Sequence, residues 1–232
     1  MTATDSAFVT RPAVRSSALG VALGVLAVTL VADVSTQRRV LAVGVVGAVA
    51  FAAGVESSRR GESAVGELAV AGGTVLLLVS LVLAFTRPML TVHRFELVPG
   101  LLGIWAMAAG VAPVRRGWER RLIATGTGLI FVAVVTSGVV QTVELWPLLV
   151  AGAATIVAWD LTENAVSLGN QVGEDARTLR AELGHGAATG LVAGGAILLV
   201  YAVQSLEVDG LPFAALAALL VAGVVLAVAH YS

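Results

Sequence analysis

The sequence contains no cysteine and no lysine, and it has few charged residues of any kind. The lack of cysteine excludes disulfides, thiolate metal sites and thiol nucleophiles. Charged residues make up 12% of the chain and hydrophobic residues 58%, against about 25% and about 45–50% in soluble domains. The net charge of −1 gives no electrostatic reason to expect a nucleic-acid partner. A chain of this composition is expected to bury its apolar surface in a lipid bilayer.

Eight apolar runs have about the length needed to cross a membrane. A spanning helix needs about 20 mostly apolar residues, within a range of about 17–25. The second and sixth runs are short, and they reach across if flanking arginines extend to the headgroups. The sequence therefore predicts an all-α, polytopic transmembrane helix bundle in a single integral membrane domain, 1–232. The predicted spans are residues 16–34, 40–55, 67–86, 97–114, 122–140, 145–159, 187–205 and 211–229.

The arginines are divided unequally between the two sides of this predicted bundle. Ten of the fourteen basic residues lie in the N-terminal tail and in loops on the same side, and four lie on the opposite side. Cytoplasmic loops of membrane proteins carry an excess of basic residues. We therefore predict a multi-pass protein of the cell membrane whose N-terminus and C-terminus are both cytoplasmic.

One segment of the chain resembles another. Residues 44–61 align without a gap to residues 100–117, with ten of eighteen positions identical, and both segments end in Arg-Arg-Gly. The alignment predicts repeats of a helix, a cytoplasmic loop and a second helix. Spans two and three, four and five, and six and seven would form the three units. Units that begin on the same face are parallel repeats, unlike the inverted repeats of many transporters.

Residues 160–186 are the one long polar segment between apolar runs. Apolar residues recur in it at intervals of three and four, which predicts a cytoplasmic amphipathic helix. Asp160 is the expected N-cap, and Gly184 and Gly186 are the expected end of the helix. The large apolar side chains would lie on the membrane, on the bundle or on a partner protein. This predicted docking face comprises Leu161, Leu168, Val172, Leu179 and Leu183.

The polar face of the same predicted helix comprises Asp160, Glu163, Glu174, Glu182 and His185. Glu182-x-x-His185 has the spacing that di-iron bundles use. The predicted spans offer no further Glu and His to complete such a site, and the two ends of a continuous helix would be about 35 Å apart at about 1.5 Å per residue. Capping and ion pairing explain these residues more simply. We therefore predict no metal, no cofactor and no catalytic residue.

Ionisable residues are absent near the middle of the predicted spans, and no phosphate-binding loop or hydrolase motif is present. A charge at mid-bilayer costs at least about 2.5–3.5 kcal/mol, so membrane proteins keep one there mainly for function. This absence argues against a proton-coupled pump and against acidic intramembrane catalysts. An enzyme is therefore the less favoured interpretation.

The stretch WDLTENAVSLGNQVGEDARTLRAELGH, from Trp159 to His185, lies between apolar runs. In that setting it resembles an uncharacterised group of haloarchaeal multi-pass membrane proteins, whose domain has no known function. Members of that group tend to be encoded beside MoxR-type AAA ATPases. The resemblance implies an archaeal, halophilic cell membrane and membership of a membrane-bound ATPase assembly. It transfers no catalytic residues.

Three hypotheses for function follow. The leading one is a non-enzymatic membrane scaffold or assembly subunit, which contacts the lipid bilayer and docks a cytoplasmic protein through the predicted docking face. The second is a transporter or channel for a small neutral or lipid-like solute. The third is a metal-dependent enzyme at the cytoplasmic face that uses Asp160, Glu163, Glu182 and His185. Oligomeric state is not predicted.

Overall fold

The computed structural model is all-α over the residues it describes, which are 12, 14–59, 61, 63–87, 91–112, 117–140, 144–172 and 179–205. The helices are α1 (Val14–Val31), α2 (Ser35–Arg59), α3 (Ser63–Thr86), α4 (Thr91–Val111), α5 (Glu119–Val140), α6 (Leu145–Val172) and α7 (Leu179–Ser205). Helices α2 to α7 are long and apolar enough to cross a membrane, and α1 is a shorter apolar helix. These helices are consistent with a multi-pass membrane protein.

Seven of the predicted spans coincide with these seven helices, and the eighth, 211–229, lies outside the described residues. The predicted bounds are too narrow at several helix ends. Helix α2 begins at Ser35 and α4 at Thr91, whereas the predicted spans began at residues 40 and 97. The difference arises because an uncharged run stops at the first charged side chain, whereas a helix continues through such side chains where it reaches the edge of the hydrocarbon.

The turn between α1 and α2 is held by side chains of α2. The Gln37 Oε1 accepts a hydrogen bond from the Val34 backbone N–H at 3.0 Å, which caps the start of α2. The Arg38 Nε donates to the Ala32 backbone carbonyl at 2.9 Å, just past the end of α1. Both contacts satisfy backbone groups that helix termini leave without partners.

Three helix pairs pack most extensively: α2 with α3, α4 with α5, and α1 with α6. The first two pairs are the first two units of the predicted repeat. The third predicted unit, formed by the sixth and seventh spans, has no comparable pair in the described residues. Helix α6 packs chiefly along α1 and also contacts α5.

Glycine pairs set the close approach in the α2–α3 and α4–α5 hairpins. A Cβ atom on Gly47 would lie 2.9 Å from the Gly73 carbonyl oxygen, where α2 meets α3. A Cβ atom on Gly103 would lie 2.7 Å from the Gly126 carbonyl oxygen, where α4 meets α5. Gly103 aligns with Gly47 when residues 44–61 are aligned to residues 100–117. Small residues let helix backbones approach closely in membranes, so these crossings require glycine.

The Arg-Arg-Gly at the end of each aligned segment has a local explanation. Gly61 and Gly117 follow α2 and α4 and have φ angles of +92° and +83°. This left-handed conformation is accessible to glycine without steric cost. The shared glycine therefore serves the turn that follows the first helix of each hairpin.

Apolar side chains fill the space between the helices. Helix α4 contributes the largest share, with Leu97, Leu101, Ile104 and Met107 each no more than 2% exposed. Side chains of α1, α2 and α6 pack against this row. The ring of Trp105 adds a tilted contact to Phe51 of α2, with ring centroids 4.8 Å apart.

The chain divides into two compact units, Met1–Gly194 and Gly195–Ser232. The first contains α1 to α6 and the first turns of α7. In the second, the structure describes residues 195–205, which complete α7.

Gly126 and Gly128 form a matched pair for testing the glycine crossing. A Cβ on Gly126 would lie 2.7 Å from backbone atoms of α4, whereas a Cβ on Gly128 would meet nothing within 4 Å. We expect Gly126→Ala to lower the free energy of unfolding by about 1–3 kcal/mol, the usual cost of overpacking. Gly128→Ala should leave it unchanged or slightly higher. Unfolding measured in one detergent tests both variants, and an equal loss in both would contradict this packing.

Candidate functional site at the start of α7

Asp160, on α6, binds two side chains of α7. The His185 Nε2 lies 2.7 Å from the Asp160 Oδ2, and the Thr189 hydroxyl donates to the same oxygen at 2.6 Å. His185 and Thr189 are four residues apart, so they lie on one face of α7. The side chains of His185 and Asp160 are 41% and 33% exposed. This cluster joins the middle of α6 to the first turns of α7.

A second contact lies one turn further along α6. The Arg120 guanidinium, at the start of α5, donates to the Ser167 hydroxyl at 3.0 Å and lies 3.6 Å from the Glu163 carboxylate. The Arg120 side chain is 60% exposed. This ion pair therefore lies at the surface, where such pairs stabilise a fold by less than about 1 kcal/mol.

A third contact ties the start of α7 to the start of α1. The Glu182 Oε2 accepts hydrogen bonds from the Ser16 backbone N–H at 2.9 Å and from the Ser16 hydroxyl at 2.7 Å. Glu182 is buried, at 8% exposed. A carboxylate at a helix N-terminus satisfies an orphan N–H and interacts favourably with the helix dipole.

The predicted single helix over 160–186 is wrong. Asp160 and His185 are in contact at 2.7 Å, whereas a continuous helix would separate them by about 37 Å at about 1.5 Å per residue. Residues 160–172 continue α6, residues 179–186 begin α7, and residues 173–178 lie outside the described residues. The error arises because periodicity reports which face of a helix is apolar and not where the chain reverses direction.

The predicted helix ends within this segment are wrong for a related reason. Asp160 lies in the interior of α6 and is no N-cap, and α7 continues through Gly184 and Gly186. Asp160 follows the apolar run of α6, and Gly184 and Gly186 precede the apolar run of α7. Each helix includes these residues because it extends beyond its apolar run into the adjoining polar residues. The middle of α6 therefore carries an ionisable residue, although the shorter predicted span of 145–159 placed Asp160 beyond its end.

The predicted docking residues do not share one exposed face. Leu161 is buried at 4% exposed, Leu168 is half-buried, and Leu183 is 59% exposed. The side chains of Val172 and Leu179 lie outside the described set. Leu161 contacts α7, since its Cδ2 lies 3.2 Å from where a Cβ on Gly186 would be. Of the described members, Leu183 has the side chain most accessible to a partner.

The predicted polar residues are divided among separate contacts. Asp160 and His185 meet each other, Glu163 meets Arg120, and Glu182 meets Ser16. Glu174 lies outside the described residues. Within the described ranges, no three His, Asp or Glu side chains come together in a way that would hold a metal ion.

Several contact residues were not predicted from the sequence. Ser16 and Thr189 each donate a hydrogen bond to a predicted polar residue, and Arg120 forms an ion pair with Glu163. Of these residues, only Thr189 could have been predicted from the sequence, because it lies one helical turn after His185 and therefore on the same face. The Ser16–Glu182 pair joins residues 166 positions apart, and no pattern in a single sequence reports such a contact.

A buried polar pair lies at the opposite end of the bundle. The Gln37 Nε2 donates to the Glu96 Oε2 at 3.3 Å, and these residues are 2% and 1% exposed. Glu96 also makes a further polar interaction. Buried charges are stable when they are hydrogen-bonded, so this pair accounts for the burial of Glu96 between α2 and α4.

A protein-family model matches residues 74–227, more than half of the chain, and it describes a family of unknown function, DUF7519. The chain belongs to DUF7519. The matched region contains Asp160, His185, Thr189 and the Arg120–Glu163 pair, whereas Ser16 and the first aligned segment, 44–61, precede it. The searches of curated proteins and of solved structures returned no match. The Asp160 cluster therefore lies within the region that the family model matches, and membership in DUF7519 assigns this cluster no activity.

The Glu182 and Glu163 contacts differ in burial, and their removal should differ in cost. Glu182→Ala leaves the buried Ser16 N–H and hydroxyl without this acceptor, for which we expect a loss of about 1–3 kcal/mol in the free energy of unfolding. Glu163→Ala removes a surface ion pair and should cost less than about 1 kcal/mol. Measuring the free energy of unfolding of both variants in the same detergent tests this difference. A larger loss for Glu163→Ala would contradict the assigned roles.

Proposed function

We propose that this DUF7519 chain is a non-enzymatic membrane scaffold that binds a cytoplasmic protein at the end where α7 begins. The observation that carries the proposal is Leu183, a large apolar side chain that is 59% exposed in the first turns of α7. The neighbouring Glu182–Ser16 and Asp160–His185 contacts hold this turn against α1 and α6. A fixed, exposed apolar side chain beside polar groups is typical of an anchor residue for a protein partner.

We propose eight spans, with both termini in the cytoplasm. Seven described helices and the apolar run at 211–229 support the count. The arginine distribution supports the direction, since ten of the fourteen lie on the side where α1, α3, α5 and α7 begin. Helix α6 is 28 residues long, or about 42 Å at about 1.5 Å per residue. That length exceeds a hydrocarbon core of about 30 Å, so the last turns of α6 would extend into the cytoplasmic interface.

We propose also that the α2–α3 and α4–α5 hairpins are parallel repeats. Their support is the aligned segments 44–61 and 100–117, the equivalent Gly47 and Gly103 crossings, and the two turn glycines. Two stacked hairpins of the same direction give a scaffold with both loops on one face. That face is the proposed docking side.

The resemblance to a haloarchaeal group encoded beside MoxR-type AAA ATPases suggests the identity of the partner. An ATPase of this type would approach from the cytoplasm, where α6 extends and α7 begins. The proposed role of the chain is then to anchor the ATPase assembly at the membrane.

The packing gives less support to the other two hypotheses. A solute path between the hairpins needs polar walls, whereas the described core there consists of apolar side chains and closely packed glycines. A metal-dependent enzyme needs the side chains of Asp160, Glu163, Glu182 and His185 to lie together. In the structure, Glu163 contacts α5, Glu182 contacts α1 and His185 contacts α6.

The proposed orientation predicts which engineered cysteines react from outside the cell. The chain has no cysteine of its own, so single substitutions give an unambiguous signal. A membrane-impermeant maleimide should label Glu144→Cys, before α6, in intact cells. It should label Trp118→Cys, before α5, after lysis alone. Both native side chains are exposed, and the reverse labelling pattern would overturn the orientation.

The docking proposal predicts position-specific cross-linking to the partner. Leu183 and Val65 are 59% and 62% exposed at the starts of α7 and α3, so they form a matched pair. A photo-reactive residue at 183 should cross-link to a co-expressed MoxR-type ATPase, and one at 65 should not. Leu183→Glu should abolish ATPase recruitment to membranes, whereas Val65→Glu should retain it. Equal cross-linking at both positions, or recruitment that survives Leu183→Glu, would contradict the proposal.

A further inference from the structure

The start of α5 carries the densest group of basic residues in the chain. Four of the fourteen arginines lie within seven residues of sequence, at positions 115, 116, 120 and 121. Arg120 is paired with Glu163 of α6, and the side chain of Glu119 is buried. Arg121 is exposed and forms no ion pair with any other residue that the structure describes. An uncompensated positive charge therefore lies at the surface where α5 begins.

The corresponding turn between α2 and α3 has no such charge. Both turns contain an Arg-Arg pair followed by a left-handed glycine. When the alignment of residues 44–61 to residues 100–117 is extended without a gap, Val65 is the counterpart of Arg121. A basic loop helps to orient a hairpin in the membrane, and the pair that both turns share supplies it. Orientation therefore does not explain why α5 begins with a second Arg-Arg pair.

The exposed face of α5 next to Arg121 is lined by small side chains. Ala124, Thr125 and Gly128 are exposed, and a Cβ on Gly128 would meet nothing within 4 Å. On α3 the counterpart of Ala124 is Leu68, whose large side chain is 74% exposed. The small side chains of α5 thus leave room for a hydrocarbon chain where Leu68 fills the space on α3. Further along, the same face of α5 continues with large exposed side chains, at Val132, Val135 and Val139.

We propose that Arg121 and Trp118 bind the headgroup of an anionic phospholipid, with one of its acyl chains on the exposed face of α5. A phosphodiester is negatively charged, and a guanidinium binds phosphate oxygens through two N–H groups at once. Trp118 is 47% exposed, and its carbonyl accepts a hydrogen bond from the Leu122 N–H at 2.9 Å, which places it at the first turn of α5. Residues three apart lie on one side of a helix. Tryptophan is enriched at the level of lipid headgroups because its ring is apolar and its N–H is polar.

Continuity between the charge and the apolar face favours a lipid over a soluble anion. A free phosphate would contact the arginine and leave the adjoining apolar surface uncovered, whereas a phospholipid covers both. Gly128 lies seven residues beyond Arg121, or about 10 Å along the helix at about 1.5 Å per residue. An acyl chain held at Arg121 reaches this far, because one leaflet is half of a hydrocarbon core of about 30 Å. The inference holds for either orientation of the chain and needs no protein partner.

Quenching of a single fluorescent label by brominated lipids tests the site in the full-length chain. The chain has no cysteine, so Gly128→Cys on α5 and Gly72→Cys on α3 each accept one label. The two glycines are counterparts in the extended alignment, and a Cβ on either meets nothing within 4 Å. The measured quantity is the ratio of the quenching constants of brominated phosphatidylglycerol and brominated phosphatidylcholine in vesicles of these two lipids. We expect a ratio of about five or more at position 128 and about one at position 72, since one basic residue near an anionic headgroup contributes about fivefold.

Two arginine substitutions separate the site from overall charge. Arg121→Gln should lower the ratio at position 128 about fivefold. Arg180→Gln is the matched control, because it removes an exposed arginine in the first turn of α7 and changes the net charge equally. It should leave the ratio unchanged. Excess inorganic phosphate at matched ionic strength should also leave the ratio unchanged.

Four results would overturn the proposal. They are equal ratios at positions 128 and 72, a ratio at position 128 that persists in Arg121→Gln, an equal loss in Arg180→Gln, and displacement of the lipid by inorganic phosphate. The third result would assign the effect to overall charge, and the fourth would show a site for soluble anions instead. Because no partner protein is present, none of these outcomes depends on the docking function.

Discussion

Hydrocarbon offers no hydrogen-bond partner, and this constraint governs the placement of polar groups in the chain. In α7 the polar side chains Glu182, His185 and Thr189 face the bundle, whereas Leu191 and Val192 face outward. The arrangement is the inverse of a helix on a water-soluble protein, where the apolar stripe faces inward. The same constraint explains the buried Gln37–Glu96 pair, since each group supplies the partner that lipid cannot.

Close packing of the hairpins depends on small residues because the hydrophobic effect does not hold helices together inside a membrane. Glycines at the α2–α3 and α4–α5 crossings bring backbones into contact, and the resulting dispersion attraction and shape complementarity replace that driving force. The glycine positions recur between the two hairpins, together with the turn glycines Gly61 and Gly117. The repetition in sequence therefore corresponds to repeated packing requirements.

The helices were predictable from the sequence and the polar contacts were not. Apolar runs of sufficient length predict helices α1 to α7, because the length and apolar composition of a run are enough to predict a helix in a bilayer. The prediction of a single helix after Trp159 is wrong, since the periodicity of the segment fits one helix as well as two. The contact of Asp160 with His185 reveals the reversal. Ser16 and Glu182 show the general difficulty, because their partnership arises from the packing of α1 and α7 at one end of the bundle. Gly186 was expected to end a helix, but it lies against Leu161 instead.

The proposed scaffold, with the start of α7 on its cytoplasmic side, would account for the apolar interior of the described helices and for the polar contacts at the start of α7. This arrangement of the helices requires that their exposed apolar faces contact lipid. Extraction of native membranes with alkaline carbonate followed by ultracentrifugation tests this requirement most directly. The chain is expected to stay in the membrane pellet and to enter the supernatant when detergent is added. Recovery of the folded chain in the supernatant without detergent would contradict it.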